Sequence, residues 1–217
     1  MKRLIPLAKV FAVALALVLN GCATTKKLVC RPAAPAPSFH SNAGGAPMRR
    51  VALLPLCYEQ EAGPFLRDMD ATFNLELNKK NNFEVVTVSR ADMEAMFNKR
   101  QLSSVGTLPA DLLAKLSAQY GVDGVLLTDV THYFPYHPIS IGIRAKLVDA
   151  RTGEVRCAFD HLYDSGRPEI ANQARCYYEQ NSQTGSPLPQ DGSIVLQSPS
   201  RFSKFVACET YRSLLTQ

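Results

Sequence analysis

The sequence lacks the short motifs that identify most enzyme active sites. It contains no GxSxG nucleophile elbow, no HExxH zinc motif, no P-loop and no glycine-rich dinucleotide fingerprint. Its six cysteines include no CxxC pair, the close spacing that structural zinc sites need. The sequence therefore nominates no catalytic residue, no metal ligand and no cofactor, and we expect a protein that is not an enzyme.

The chain also lacks a strong charge of one sign. Its formal net charge is +5, and three of these units come from Lys2, Arg3 and Lys9, which leaves +2 for the remainder. Basic residues there occur in short pairs such as Lys79-Lys80 and Lys99-Arg100. Such pairs are too few to neutralise a run of phosphates, so we expect no nucleic-acid partner.

Long apolar runs are absent except near the N-terminus. Val10 to Leu19 is an apolar stretch behind a basic start, which is the layout of a secretory signal peptide and is too short to span a bilayer unaided. It ends in Leu19-Asn20-Gly21-Cys22, which resembles the lipobox of bacterial lipoproteins. The resemblance implies cleavage before Cys22, diacylglycerol on its sulfur and acylation of the new amino terminus, with palmitate among the acyl chains. An ordinary signal peptide with an incidental cysteine is the alternative.

The predicted location follows from the same segment. Several acyl chains together anchor a protein stably to a bilayer. Ala23 follows the cysteine, where Asp would favour retention in the inner membrane. We therefore expect an outer-membrane lipid anchor that leaves the protein facing the periplasm.

Composition divides the chain into four parts. Residues 1–21 form the lipoprotein signal peptide. Residues 22–48 form the lipidated cysteine and a tether rich in Pro, Ala and Gly, which cannot bury enough apolar surface to order itself. Residues 49–166 have the apolar patterning of a folded domain, and residues 167–217 are predicted as a helical C-terminal extension packed on it.

Strand and helix patterns alternate in the predicted domain. Val51 to Leu56 is a continuous apolar run typical of a strand buried on both faces, and Pro64 opens a helix with apolar residues at helical spacing. Ile139 to Leu147 alternates apolar and polar residues, and Asp149 to Gly153 is a turn to an answering strand. The order is βαβααβββ, so we predict an α/β fold with a mixed β-sheet flanked by helices and a C-terminal helical tail.

Cysteines pair in an oxidising periplasm, so disulfides are expected. Cys30 lies in the tether and is predicted to be the unpaired one. The other candidates allow three connectivities, and the sequence leaves the choice open: Cys57, Cys157, Cys176 and Cys208. A bond between Cys176 and Cys208 would staple two terminal helices that otherwise lack contacts with the sheet. Buried thiols without a bond are the alternative.

Four segments resemble one group of bacterial envelope lipoproteins. They are VALLPL, FEVVTVSRADMEAMF, LSAQYGVDGVLLTDVT and IGIRAKLVDARTGEV. They are similar to the periplasmic domain shared by the curli secretion lipoprotein CsgG, the LpoB-type activators of penicillin-binding proteins and PelC, an exopolysaccharide-secretion lipoprotein. The resemblance covers roughly residues 49–166 and is carried by core strands and a turn. It implies a non-enzymatic envelope lipoprotein that assembles with partners or with itself, and it does not name the partner.

The segment from His132 to Pro138, HYFPYHP, is unusual for a connection between two strands, where a short polar turn suffices. Exposed Tyr133, Phe134 and Tyr136 held by proline would suit a partner-binding loop. His132 and His137 would supply only two ligands of a metal site. A loop folded onto the protein's own core is the third interpretation.

These observations favour an outer-membrane-anchored periplasmic lipoprotein that acts as a non-enzymatic assembly or accessory factor for envelope secretion or cell-wall synthesis. Its partners would be the outer membrane, through the N-terminal lipid, and a periplasmic protein or a second copy of the chain. The alternative is a monomeric, LpoB-like activator of a peptidoglycan synthase instead of an oligomeric secretion scaffold. Oligomeric state would discriminate between the two.

Overall fold

The computed structural model describes residues 38–41, 46–58, 64–181 and 192–215. The predicted signal peptide, Cys22, Cys30 and much of the tether lie outside these residues. Within the described ranges, seven strands occur: β1 (Ser38–Ser41), β2 (Arg50–Leu53), β3 (Cys57–Tyr58), β4 (Glu84–Thr87), β5 (Gly124–Phe134), β6 (Ser140–Asp149) and β7 (Val155–Asp164). The same ranges contain a 3₁₀ helix, Ser193–Leu196, and five α-helices: α1 (Pro64–Asn78), α2 (Arg90–Phe97), α3 (Leu112–Tyr120), α4 (Pro168–Asn181) and α5 (Pro199–Leu215).

All seven strands belong to one sheet. Its order is β1-β7-β6-β5-β2-β4, with β3 paired to β5. β2 pairs in parallel with β4 and β5, whereas β5, β6, β7 and β1 pair in antiparallel fashion. This architecture confirms the predicted α/β fold with a mixed sheet flanked by helices. We call the end of the sheet where β5 leads into β6 the hairpin end.

Helices cover the two faces of the sheet unequally. On the first face, α1, α4 and α5 build the larger core, whose most buried large side chains are Met69, Phe73, Phe159, Phe202, Phe205 and Tyr211. On the second face, α2 and α3 build a smaller core around Ala52, Leu54, Met93, Leu112, Leu116, Val125 and Leu127. This second core includes Val148 and Val155 near one end of β6 and β7, and it does not extend along those strands to the hairpin end.

The predicted strand from Val51 to Leu56 is shorter in the structure. β2 ends at Leu53, and Pro55 lies in the irregular segment that separates β2 from β3. A proline has no N–H group to donate to a strand partner, so regular pairing is interrupted there. The backbone of Leu54 still donates to the carbonyl of Leu126 (3.1 Å), and β3 then resumes pairing with β5.

The predicted tether differs from the structure at Ser38–Ser41. These residues form β1, which pairs antiparallel with β7 from Ser38 opposite Asp160 to Ser41 opposite Cys157. The edge of β7 presents unpaired N–H and C=O groups, which bind a backbone whatever its side chains. Composition alone gives no sign of such pairing.

The C-terminal helix α5 is an integral part of the larger core. Its Phe205 ring lies 5.9 Å from the Tyr163 ring on β7, and its Tyr211 ring lies 5.7 Å from Phe73 on α1. In each of these two pairs the rings meet edge to face, an arrangement that stabilises aromatic pairs. The expectation that the terminal helices lack contacts with the sheet is therefore wrong.

The cysteines do not form the predicted staple. Cys157 and Cys208 are free thiols, so the prediction that they form disulfides is wrong. Cys176 is disulfide-bonded, but to neither of these two. Cys157 lies on β7 beneath the larger core, where burial raises the pKa of its thiol to about 11. Cys208 is half-buried on α5, with its sulfur 3.3 Å from Lys80 Nζ. Apolar packing around α5, with no covalent link to Cys208, holds this helix in place.

Candidate interaction surface

Two aromatic side chains project from the hairpin end. Phe134 is 44% exposed and Tyr136 is 71% exposed. Their rings contact each other in a T-shaped arrangement with centroids 5.6 Å apart. We call this pair the aromatic tip. Exposed apolar side chains that lie together make this end of the sheet a candidate contact surface.

A β-bulge decides which way these side chains point. The pairing of β5 with β6 shifts between Val130 and His132, so that Thr131 is the extra residue. Strand side chains alternate between faces, so the extra residue reverses the alternation beyond it. Tyr133 consequently packs against the larger core on the first face, whereas Phe134 is placed opposite Ser140 on the second face.

Gly142 on β6 makes room for the bulge. A Cβ atom at this position would lie 2.5 Å from Thr131 Oγ1 and 3.2 Å from the backbone nitrogen of His132. Real Cβ atoms do not approach other atoms as closely as 2.5 Å, and 3.2 Å is a tight contact, so a side chain at position 142 would force Thr131 to shift. The His132 ring is then fixed across the strands by a 2.8 Å contact between its Nε2 atom and Ser140 Oγ.

The second face of the sheet continues the exposed surface onto β7. Leu162 pairs with Gly142, lies on the same face as Phe134 and is 48% exposed. Arg144 and Asp160 also face this side and form an ion pair of 2.7 Å. The aromatic tip therefore borders a partly apolar strip of open sheet.

A groove of about 280 Å³ lies beside this strip. Its lining includes Tyr58 on β3, Asp129 and Tyr133 on β5, and Ser103 and Val105 from the loop between α2 and α3. Burial raises the pKa of the Tyr133 phenol. The Tyr133 hydroxyl has no hydrogen-bond partner among the described residues. The groove is therefore mixed in character, with apolar walls and a few polar groups.

Asp129 holds the loop that forms one wall of the groove. Its buried carboxylate accepts hydrogen bonds from the backbone N–H of Ser104 (2.9 Å) and from the hydroxyls of Ser104 (2.5 Å) and Ser103 (3.3 Å). Lys146 Nζ also donates to the Ser104 carbonyl (2.8 Å). These contacts fix Val105 on the outer side of the loop, where it is 61% exposed.

Two of the ionisable side chains that line the groove already have partners. Asp129 is occupied by two serines, and Arg144 is paired with Asp160. The His132–Ser140 contact has the composition of a base and a nucleophile, but the hydrogen bonds of the described residues include no third group that orients the ring. In the same part of the chain, no group of three or more His, Cys, Asp and Glu side chains is placed to hold a metal ion.

The structure separates the three aromatic residues predicted to bind a partner. Phe134 and Tyr136 are exposed at the tip, whereas Tyr133 is half-buried against the larger core. His137 is exposed, and its peptide bond to Pro138 is cis. Sequence reasoning missed Val105 and Leu162, since a single apolar residue in a loop or on an alternating strand carries no recognisable signal.

None of the described helices is both long and apolar enough to cross a bilayer. Two carboxylates at the polar end of the sheet, Asp123 and Asp149, accept hydrogen bonds from backbone N–H groups. Asp123 accepts from the N–H groups of Arg49 (2.9 Å) and Arg50 (3.2 Å), and these bonds hold the pKa of Asp123 below its ordinary value. Asp149 plays the same part in the β6–β7 turn.

No protein-family model and no curated protein sequence matches the chain. Among solved structures, lipoprotein GNA1162 from Neisseria meningitidis is 22% identical over 62% of this chain and 99% of its own, with a TM-score of 0.40. The PelC dodecamer from Paraburkholderia phytofirmans is 12% identical over 77% and 94%, with a TM-score of 0.41. The LpoB C-terminal domain from Salmonella enterica is 14% identical over 56% and 86%, with a TM-score of 0.39. All three TM-scores lie below 0.5, so the function of this chain has to be argued from its own residues.

Proposed function

We propose that the protein is an outer-membrane-anchored periplasmic lipoprotein that acts as a non-enzymatic assembly or accessory factor in envelope secretion or cell-wall synthesis. The observation that carries the proposal is an exposed, partly apolar surface at the hairpin end, next to a groove in which Asp129 and Arg144 are already bonded to neighbouring side chains. Such a surface is suited to binding and offers no free pair of groups for acid–base work. The lipobox-like end of the signal segment supplies the anchor.

The protein partner binds along the groove and the open strip of the sheet. Val105 and Leu162 supply exposed apolar contact area, and the Arg144–Asp160 pair supplies polar contacts at the rim. Asp129 gives the Val105 loop one fixed position, so little conformational entropy is lost when a partner binds there.

The attachment of β1 favours a role close to the membrane. Fifteen residues, 23–37, separate the lipidated cysteine from the start of β1. Fully extended, they reach roughly 50 Å, and as a flexible coil they average about 22 Å. This span suits a scaffold assembled on the membrane surface better than an activator that must reach a distant enzyme. The LpoB-like activator remains the alternative.

Site-specific photocrosslinking tests the partner surface. A photoreactive amino acid replaces Val105 in the full-length chain, expressed in its own cell envelope, and the matched control replaces Leu75 on α1, which is 52% exposed outside this surface. We expect a discrete protein adduct from position 105 and none from position 75. Equal labelling at both positions, or none at position 105, would rule out the groove as the contact.

Solution mass separates the two versions of the function. Light scattering of the mature lipidated chain in detergent, at several protein concentrations, gives the number of chains per particle. A stable ring-sized species supports the secretion scaffold. A monomer at every concentration supports the activator and removes the scaffold from consideration.

A further inference from the structure

We infer that the aromatic tip is a second membrane contact, which places Phe134 and Tyr136 in the interfacial region of the bilayer that carries the N-terminal anchor. The inference rests on the proposed function, because it requires the lipid anchor. It assigns the tip to lipid, whereas the groove and the open strip are assigned to protein.

The direction of β1 places its first residue, Ser38, on the side of the hairpin end. β7 runs from Val155 to Asp164, and Asp164 lies opposite Ser140 at the hairpin end. β1 runs the opposite way, with Ser38 beside Asp160 and Ser41 beside Cys157. The chain therefore enters β1 while running away from the hairpin end, and Ser38 lies only about 13 Å along the strands from that end.

The two ends of the molecule differ in polarity. The hairpin end carries the exposed rings of Phe134 and Tyr136. Leu162, which lies on β7 opposite Gly142, is also exposed. The opposite end carries exposed polar and charged side chains at the starts of β4 and β7 and in the turns before them: Asn81, Asn82, Glu84, Arg151 and Glu154. Of these two ends, as far as the structure describes them, the hairpin end is the one with an apolar surface that gains by leaving water for the boundary of a bilayer.

The chemistry of the tip fits the membrane interface. Tyrosine is enriched at the level of the lipid headgroups, because its ring is apolar and its hydroxyl remains hydrated. Asp164, opposite Ser140 near the tip, accepts a hydrogen bond from the N–H of Gly166 (2.8 Å). Two arginines of this region are paired with carboxylates, Arg167 with Glu169 (2.6 Å) and Arg144 with Asp160. Burying the rings therefore leaves neither of these cations without its carboxylate.

The anchor makes so small a contact effective. Two aromatic rings bind a bilayer too weakly to recruit a protein from solution. A lipid-anchored domain on a short linker instead experiences the membrane at an effective concentration in the millimolar range. At that concentration a weak contact is occupied much of the time and orients the domain. In that orientation the groove is accessible to other proteins at the membrane surface.

Tryptophan fluorescence tests the contact directly, because the chain contains no tryptophan. The mature lipidated chain carrying Phe134→Trp is reconstituted in phosphatidylethanolamine–phosphatidylglycerol vesicles with and without brominated lipid, and Leu75→Trp is the matched control. We expect a blue-shifted emission and roughly threefold stronger quenching at position 134 than at position 75. Tyr136→Trp gives a second, independent reporter.

Equal quenching at positions 134 and 75 would overturn the inference. So would quenching or a shift that disappears when the protein is diluted on the vesicles, because the tip would then contact a second copy of the chain. The intact mass of the same sample keeps the two proposals apart. If Cys22 is acylated and the reporters stay in water, only the membrane contact fails; if Cys22 is not acylated, the proposed function fails as well.

Discussion

Among single residues, Asp129 and Gly142 shape the candidate surface without contacting a partner themselves. Asp129 collects three hydrogen bonds from Ser103 and Ser104 and so positions the groove wall. Gly142 leaves the space into which the bulge at Thr131 fits. Both act through backbone geometry, so their substitution should alter stability and the surface together.

We expect Asp129→Ala to lower the free energy of unfolding by roughly 2–4 kcal/mol, because it removes a buried acceptor and leaves the N–H of Ser104 without a partner. Urea denaturation followed by circular dichroism measures the change. Asp160→Ala is the control, since its ion pair with Arg144 is partly exposed to solvent and should be worth less than about 1 kcal/mol. Equal losses for the two variants would show that Asp129 has no special role.

We expect Gly142→Ala to destabilise the fold by roughly 1–3 kcal/mol, because the added methyl group collides with the Thr131 side chain and the backbone of His132. Gly106→Ala is the matched control, since a Cβ there has its nearest neighbour at 3.6 Å. Chemical denaturation of both variants decides the matter. A neutral Gly142→Ala would mean that the bulge can rearrange at no cost.

Among elements, the turn between β6 and β7 depends on an ionised carboxylate. Asp149 is 2% exposed, and its Oδ1 atom accepts from the N–H groups of Arg151 (2.9 Å) and Thr152 (3.3 Å). Burial by itself raises the pKa of Asp149, but these two N–H groups and the Arg151 side chain outweigh it, so the pKa lies below the ordinary value of 3.8. The turn is therefore predicted to be sensitive to acid.

The sign of the pH dependence follows from the lowered pKa. Asp149 stabilises the folded state above the ordinary pKa of 3.8, and this contribution is lost as pH falls through the lower folded value. Asp149→Asn should cost about 1–2 kcal/mol at pH 7, and its difference from the natural chain should shrink below pH 4. Thermal unfolding between pH 2.5 and pH 7 measures both. A difference that does not vary with pH would contradict the assignment.

Regular elements were predictable where local chemistry and periodicity agree. Ser89 caps α2 in a capping box with Asp92, and Gly121 ends α3 in the left-handed conformation that glycine adopts easily. The bulge at Thr131 and the strand β1 were not predictable, because each depends on a neighbouring strand. The orientation of Phe134 depends on that bulge. The aromatic residues could therefore be identified from the sequence, but the face of the sheet on which Phe134 lies could not be predicted.

At the scale of the whole molecule, the two ends of the sheet differ in chemistry. One end carries aromatic residues and lies close to where the anchor segment joins β1, and the other end is polar. α5 packs on the first face of the sheet. The smaller core on the second face does not extend along β6 and β7 to the hairpin end, so the second face is open there. This polarity is the reason for assigning one surface to the membrane and another to protein.

The central claim is that this is a lipid-anchored protein, and its most direct test is the intact mass of the mature chain extracted in detergent from bacterial membranes. The account predicts a chain that begins at Cys22 and carries diacylglycerol and an amide-linked acyl group. An unmodified cysteine, or a chain that begins at any other residue, would contradict it.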